Sequence, residues 1–279
     1  MARLRARSVS TRNSRCRSSR RGTNRPDATA SKSTTFPRKG YSRRRYRACA
    51  LKNSIVDLAS TQTGTSYILG NSVGLESLDL ASLASDRSCL TIGVNRLLRV
   101  FAPEYLLVAD LKIIAEERDR LRAAKPKLLV WRKLGAMLAE RKTLPGVRRW
   151  TWDVGRAFTP KLRQPCLGYE PSWTTGVFLR SGNTGTYAIE AAALMGCTEI
   201  RLLGIDLRFD LPRSHFFGTN KHKGRRITYS PRQIKRMVSA YRAIHDRLKT
   251  MGVRLINESP IDGPLDEWIP REKSKWLKK

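Results

Sequence analysis

The sequence predicts an α/β domain with a mostly parallel sheet. Short apolar runs that end in Gly, Asn or Asp alternate with longer segments of helical periodicity. Two helical segments have clear end signals: residues 184–196 are rich in Ala and stop at a glycine, and residues 230–252 open with Ser230 and Pro231. Such alternation is typical of a sheet flanked by helices.

Four of the predicted strands lie in the first half of the folded part, which we expect to begin near Ser54. A turn and a helix are predicted after the first strand, in NSVGLESLDLASL, and a charged-faced helix is predicted at 111–124. Residues 134–144 fit either a helix or a loop. These four strands are predicted at residues 66–70, 89–95, 104–110 and 127–133.

The second half is interrupted by two irregular segments. Residues 144–175 contain Pro and Gly at intervals together with Trp150, Trp152 and Trp173, and we predict a small irregular lid there. A polar, basic loop is predicted at 208–229. Strands are predicted in EIRLLGID and at 253–259. The folded domain is predicted to span 53–260, followed by a C-terminal tail at 261–279.

Half of the excess positive charge lies in residues 1–52. The 279 residues hold 55 Lys/Arg and 23 Asp/Glu, net +32, and residues 1–52 hold 17 Lys/Arg and one acid, Asp27, net +16. This Arg/Ser-rich segment is expected to be a disordered tail. It fits a solvated extension or translated non-coding sequence, an electrostatic contact for nucleic acid or an anionic membrane, or a transit peptide.

Other classes of protein are disfavoured by the composition. No apolar run reaches the roughly 18–20 residues that span a bilayer. The five cysteines are widely spread without a CxxC, which favours a reducing, cytoplasmic location and predicts no structural zinc site. A peripheral position at a membrane surface and a homo-oligomer are both compatible with the sequence.

Polar residues follow three successive predicted strands. Gly70, Asn71 and Ser72 follow the first, Asn95 ends the second and Asp110 ends the third. Each alone fits an ordinary turn or helix cap, but the carboxyl ends of parallel strands share one rim, where ligands bind.

A second group of polar residues lies further along the chain. Asn183, Thr184 and Gly185 begin the alanine-rich helix, where they fit either a cap or a phosphate or ribose site. Asp206 follows the strand EIRLLGID and could hold a ribose, a sugar hydroxyl or a helix N-terminus.

His215 is the strongest single candidate for catalysis. It lies in the turn Ser-His-Phe-Phe-Gly, nine residues after Asp206, and a histidine titrates in the range that suits deprotonation of a hydroxyl. His222 is expected to be solvated, and His245 is expected to have a structural role. Arg208 begins a run of basic residues that fits either a solvated loop or an electrostatic funnel for anionic substrates.

Taken in order, these segments resemble the small bacterial lipooligosaccharide sialyltransferases. GNSVGLESLD is similar to that family's Gly-Asn-Gly-Pro-Ser-Leu start, and Asn183-Thr184-Gly185 with the following helix and EIRLLGID is similar to its Thr-Ser-Gly-Val-Tyr turn, helix and Gly-Ile-Asp strand. Residues 214–218 resemble its Ser-His-Tyr-x-Gly turn. The order holds from residue 66 to about 257.

The resemblance implies a Rossmann-like transferase that needs no metal or cofactor. CMP-sialic acid, or a similar nucleotide-sugar, would be the donor and a glycan or lipid-linked glycan the acceptor. Asn71, Asn95 and Thr184 would bind the nucleotide and its phosphate, and His215 would be the general base in an inverting transfer. Arg208 stands where the family has a tyrosine for the leaving phosphate, and the family's second tyrosine has no evident counterpart.

Two alternatives remain open. PEYLLVAD resembles the Pro-Asp-x-x-x-x-x-Asp pattern of archaeal 6-hydroxymethylpterin diphosphokinase-like proteins, which implies diphosphate transfer from ATP with Mg²⁺ held by Asp110 and Asp206. The other is a basic nucleic-acid-binding protein on an α/β scaffold. The tail favours it, and the absence of zinc-finger spacing or an RNP-type motif disfavours it.

Overall fold

A computed structural model describes most of the chain after residue 52. The described residues are 53–131, 134–135, 138, 144, 147–157, 177–181, 183–218, 221–222, 225–226 and 228–278. The tail predicted at 1–52, Trp173 and most of the lid predicted at 144–175 lie outside these ranges.

Ten strands occur in the described residues: β1 (Thr65–Leu69), β2 (Leu90–Val94), β3 (Tyr105–Val108), β4 (Lys127–Trp131), β5 (Arg149–Ala157), β6 (Val177–Arg180), β7 (Glu199–Leu203), β8 (Lys221–His222), β9 (Arg225–Arg226) and β10 (Arg254–Asn257). Eight of them form one sheet in the order β10-β7-β1-β2-β3-β4-β5-β6. All seven pairings in it are parallel, which confirms the predicted α/β class. β8 and β9 form a separate antiparallel ribbon.

Five α-helices are described over their full length: α1 (Leu80–Ser85), α2 (Leu111–Glu116), α3 (Arg118–Ala124), α4 (Thr184–Met195) and α5 (Pro231–Thr250). Short 3₁₀ helices lie at Ile55–Leu58, Val73–Ser77 and Leu97–Arg99. None of the helices in the described part of the chain is long and apolar enough to cross a membrane.

Two strands of the sheet, β5 and β6, were not predicted from the sequence. Residues 149–157, predicted as part of an irregular segment, form β5, and β6 lies directly after that segment. Trp152 of β5 is fully buried and stacks on Phe178 of β6, with ring centroids 5.9 Å apart. β5 lacks the aliphatic run that marks the other strands, so only tertiary packing reveals it.

Two predicted helices differ from the structure. The segment 111–124 is divided into α2 and α3 at Glu117, whose buried carboxylate pairs with Arg99 at 2.5 Å and Arg120 at 3.2 Å. The segment after β1 begins with a 3₁₀ helix at Val73–Ser77 rather than an α-helix. The helix N-terminus expected just after Gly70 therefore belongs to a short 3₁₀ helix, whose dipole is weak.

α4 is the central helix of the fold. All its residues from Gly185 to Met195 are buried, and it packs against β1, β2 and β3. The alanines keep its surface small, so the helix lies close to the sheet. Gly196 closes it in the left-handed conformation at φ 101°, as predicted.

α5 covers α4 from outside and is strongly amphipathic. Ser230 and Gln233 form a capping box at its start, with Pro231 in the first turn. Met237, Tyr241 and Leu248 face the core.

Residues 261–278, expected to form a tail, pack against the domain. Leu265 and Ile269 are buried, and Trp276 meets the ring of Tyr67 edge-on at 5.9 Å. The C-terminal segment therefore contributes to the core.

Candidate functional site

The chain changes direction across the sheet at β1. The strands β2 to β6 follow on one side of β1, while β7 and β10 lie on its other side. Loops leaving the carboxyl ends of β1 and β7 therefore diverge, and ligand crevices form at such switch points. A cavity of about 170 Å³ lies here, between the ends of β1, β2 and β7, the first turn of α4, the inner face of α5 and the turn around His215.

The floor of this cleft depends on two glycines. The Gly70 amide donates to the Leu203 carbonyl at 2.8 Å, so β1 and β7 stay paired past their ends. A Cβ on Gly70 would lie 2.0 Å from the Gly204 carbonyl oxygen, and Gly204 has φ 66°. Only glycine permits this approach, which brings the two polar loops together.

Ser72 and Asp206 join these loops. The Ser72 hydroxyl donates a short hydrogen bond to Oδ2 of Asp206, and the Arg208 amide donates to Oδ1 at 3.1 Å. Burial raises the pKa of Asp206, against the lowering effect of these hydrogen bonds. Asp206 thus lines the cleft but is engaged in holding its walls.

Two asparagines at neighbouring strand ends present acceptors without a partner. The side-chain Nδ2 of Asn71 donates to the Val94 carbonyl at 3.1 Å, and the side-chain Nδ2 of Asn95 donates to Thr184 Oγ1 at 3.3 Å. Within the described residues, neither Oδ1 atom has a hydrogen-bond partner, although both are buried. An unpaired buried acceptor is unfavourable by about 1–3 kcal/mol, so both sites favour a ligand or water that donates hydrogen bonds.

The first turn of α4 forms another wall. Asn183 Oδ1 caps it by accepting from the Gly185 amide at 2.8 Å and also accepts from the Tyr241 hydroxyl at 3.0 Å. A Cβ on Gly185 would lie 2.3 Å from that hydroxyl. Tyr241 therefore ties α5 to the start of α4 and requires glycine there.

His215 is held in a tight turn against the β1 loop. Its amide donates to the Gly218 carbonyl at 3.2 Å, the Gly218 amide donates back at 2.9 Å, and the Phe216 amide donates to the Asn71 carbonyl at 3.2 Å. Gly218 has φ 97°, which favours glycine. The Ser-His-Phe-Phe-Gly turn therefore packs on the loop after β1, which contains Asn71.

The imidazole of His215 is neutral at physiological pH. Burial, together with the Arg96 guanidinium, lowers its pKa from 6.5 to about 4. Its Nδ1 lies 2.8 Å from Ser214 Oγ, and its ring lies 4.9 Å from that of Phe217, centroid to centroid. A neutral imidazole has a ring nitrogen that can accept a proton, and its lowered pKa makes it a weaker base than an ordinary histidine.

Two predicted site residues lie away from the cleft. The Arg208 guanidinium pairs with Asp210 at 2.8 and 2.9 Å and donates to the Asp262 carbonyl at 3.3 Å. Asp110 caps α2 through the Lys112 amide at 2.9 Å. Neither lines the cavity, whereas the other predicted site residues do: Gly70, Asn71, Ser72, Asn95, Asn183, Thr184, Gly185, Asp206 and His215.

Aromatic residues that sequence reasoning missed complete the cleft. Tyr229 and Phe209 line it with ring centroids 4.3 Å apart, and Tyr241 lines it as well. Burial raises the pKa of Tyr229, so its hydroxyl stays protonated. Tyr229 directly precedes the Ser230 cap, but no sequence signal separates it from a solvated loop residue. His245 is buried on α5 beside Trp268, away from the cleft.

No protein-family model and no curated protein matches this chain.

Proposed function

We propose that the protein is a sialyltransferase-like glycosyltransferase that takes a sugar from a nucleotide-sugar, of the CMP-sialic acid kind, and attaches it to a glycan hydroxyl. The observation that carries the proposal is the position of His215. This neutral, half-buried histidine lines a cleft at the switch point of a parallel sheet, next to hydrogen-bond acceptor and donor groups suited to a nucleotide.

The polar groups of the cleft divide into two kinds. The first turn of α4 carries Thr184 and the positive end of a helix dipole, which favours a phosphate. The unpaired oxygens of Asn71 and Asn95 repel phosphate oxygens but accept from hydroxyl or amino groups. We therefore assign the phosphate to α4 and the hydroxyls of a ribose or sugar to the two asparagines.

His215 supplies the general base. It takes the proton of the acceptor hydroxyl as that oxygen bonds to the anomeric carbon of the sugar. The bond from this carbon to the phosphate oxygen breaks, and its electron pair leaves with the nucleotide monophosphate. Attack opposite the leaving group inverts the anomeric centre.

Tyr229 is better placed than Arg208 to assist the leaving group. Its neutral hydroxyl can donate to the developing phosphate charge within the cleft, whereas the Arg208 guanidinium is paired with Asp210 outside it. Tyr229 thus becomes the candidate for the tyrosine that the resemblance left without a counterpart.

Diphosphate transfer with Mg²⁺ has less support. Asp110, one of its expected ligands, caps α2 away from the cleft. Among the residues that the structure describes, no group of three His, Cys, Asp or Glu side chains lies close enough together to hold a metal.

Thermal unfolding with candidate ligands tests the binding part of the proposal. The full chain would be heated with CMP, CDP, UDP, GDP and ATP, each with and without Mg²⁺. A ligand that binds the folded state raises the melting temperature by mass action. We expect CMP to do so without Mg²⁺; stabilisation by ATP with Mg²⁺ alone, or by none of these nucleotides, would contradict the proposal.

Variants of histidine test the chemistry. His215→Ala is expected to abolish transfer from CMP-sialic acid to a lactose-type acceptor while keeping the stabilisation by CMP. His222→Ala, in the sequence KHKGRR, is the matched control and should keep both. Transfer that survives in His215→Ala would remove this residue from the mechanism.

A further inference from the structure

Five basic residues lie along the exposed side of α5. We call it the α5 basic face, and its members are all solvent-exposed. Met237, Tyr241 and Leu248 point the other way, into the core. The members of the face are Arg232, Lys235, Arg236, Arg242 and Lys249.

These cations lack acidic partners. Within the part of the chain that the structure describes, none of the five forms an ion pair or a side-chain hydrogen bond. Asp246 is the one exposed acid on this helix, and its carboxylate lies 3.8 Å from Nδ1 of His245, whose pKa is lowered by burial. Some arginines elsewhere are engaged: Arg201, for example, pairs with Glu199 at 2.6 Å.

Helix stability does not account for this charge. Arg232 lies one turn before Lys235 and Arg236, and like charges at these spacings disfavour a helix. Arg232 also lies in the first turn, at the positive end of the helix dipole, which disfavours a cation there. The capping box of Ser230 and Gln233 supplies the stabilising signals at this end. A bound polyanion would relieve both repulsions.

We infer that the α5 basic face binds the phosphate backbone of a nucleic acid, independently of base sequence. The interval from Arg232 to Lys249 is 17 residues, or about 26 Å along a helix. This is a line of charge, as a phosphodiester backbone requires. No base-reading motif accompanies it, so the contact is electrostatic.

A membrane surface fits the same face less well. Amphipathic helices bind bilayers by burying an apolar face among the lipids. In α5 the apolar face is buried in the protein core, and the exposed face between Arg232 and Lys249 offers no large hydrophobic side chain; Met251, just beyond the helix, is the nearest exposed one.

Salt-dependent binding of the full chain to a fluorescent 20-base-pair DNA tests this inference. The logarithm of the affinity falls linearly with the logarithm of the salt concentration, and each lost phosphate contact reduces the steepness of that fall by about 0.9. Arg232→Gln, Lys235→Gln and Arg236→Gln combined should lower it by about two to three and weaken binding at least about tenfold near 0.15 M salt. Arg242→Gln with Lys249→Gln should lower it by nearly two.

The matched control combines Arg87→Gln, Arg148→Gln and Lys273→Gln, three exposed residues without ion pairs in the described structure. It removes the same charge and, like the other variants, keeps residues 1–52, whose contribution therefore cancels. Circular dichroism would confirm that each variant is folded.

The control should leave the slope unchanged. Equal weakening by both triple variants would mean that net charge alone drives binding. Unchanged DNA binding, with loss of binding only to phosphatidylserine vesicles, would assign the face to membranes instead. Either result would overturn the inference, and neither depends on transferase activity.

Discussion

The hydroxyl of Ser72 donates a hydrogen bond to the carboxylate of Asp206, which joins the loops after β1 and β7 across the switch point of the sheet. The two residues are 134 positions apart in the chain. Ser72 Oγ also accepts from the Gly74 amide at 3.0 Å, and Asp206 also accepts from the Arg208 amide. One small network therefore fixes the width of the cleft.

Asp206→Ala should strongly destabilise the protein. It leaves the buried Ser72 hydroxyl and the Arg208 amide without their acceptor, which is expected to lower the free energy of unfolding by about 2–4 kcal/mol. Urea denaturation would measure this, with the exposed Asp119→Ala as control, expected within about 0.5 kcal/mol of the parent. Similar values for both variants would show that the network contributes little.

Gly185→Ala should be destabilising although alanine favours helices. The added methyl lies 2.3 Å from the Tyr241 hydroxyl, a clash expected to outweigh the roughly 1 kcal/mol gain in helix propensity. Tyr241→Phe loses a hydrogen bond to Asn183, about 1 kcal/mol, but removes the clashing oxygen.

The double variant should therefore be more stable than the sum of the single effects, by about 1 kcal/mol or more in a denaturation cycle. Additive effects would argue that Gly185 and Tyr241 are not in contact.

Gly70→Ala should disrupt the floor of the cleft. Its methyl would meet the backbone carbonyl of Gly204 at 2.0 Å, which no rotamer relieves, so we expect a loss of about 3 kcal/mol or more in unfolding free energy. Gly64→Ala is the control. It has φ 83° but open space around it, so it should lose only about 1 kcal/mol. Equal losses would mean that backbone strain, not the close approach, matters.

His215 should make stability depend on pH between about 6.5 and about 4. Its pKa is about 4 when folded and near 6.5 when unfolded, so the unfolded chain binds the proton first as the pH falls. The contribution is fully present above pH 6.5 and is lost as the pH falls toward 4. The pKa of His245 is also lowered by burial, so the unmodified protein alone cannot isolate this effect.

The measurement is the difference in unfolding free energy between the parent and His215→Gln across this range. The difference should change with pH in favour of the variant as the solution is acidified. A pH-independent difference would show that the pKa of His215 does not change on folding.

Local signals in the sequence determined the parallel α/β class, α4 and α5 and most of the cleft residues. Apolar runs marked β1 to β4, β7 and β10 because these strands are buried on both faces. Gly196, Ser230 and Pro231 marked helix ends through backbone preferences that operate within a few residues. The strand-end residues Gly70, Asn71 and Asn95 followed from the shared rim of a parallel sheet.

Only the tertiary structure decided features that depend on residues distant in sequence. β5 is a strand because Trp152 packs on Phe178. The Arg208 guanidinium lies outside the cleft because it binds the Asp210 carboxylate and the Asp262 carbonyl. Tyr229 and Tyr241 reach the cleft because α5 packs over α4. Hydrophobic periodicity records which side chains are buried, but it does not record which partners bury them, and the chemistry of this site depends on those partners.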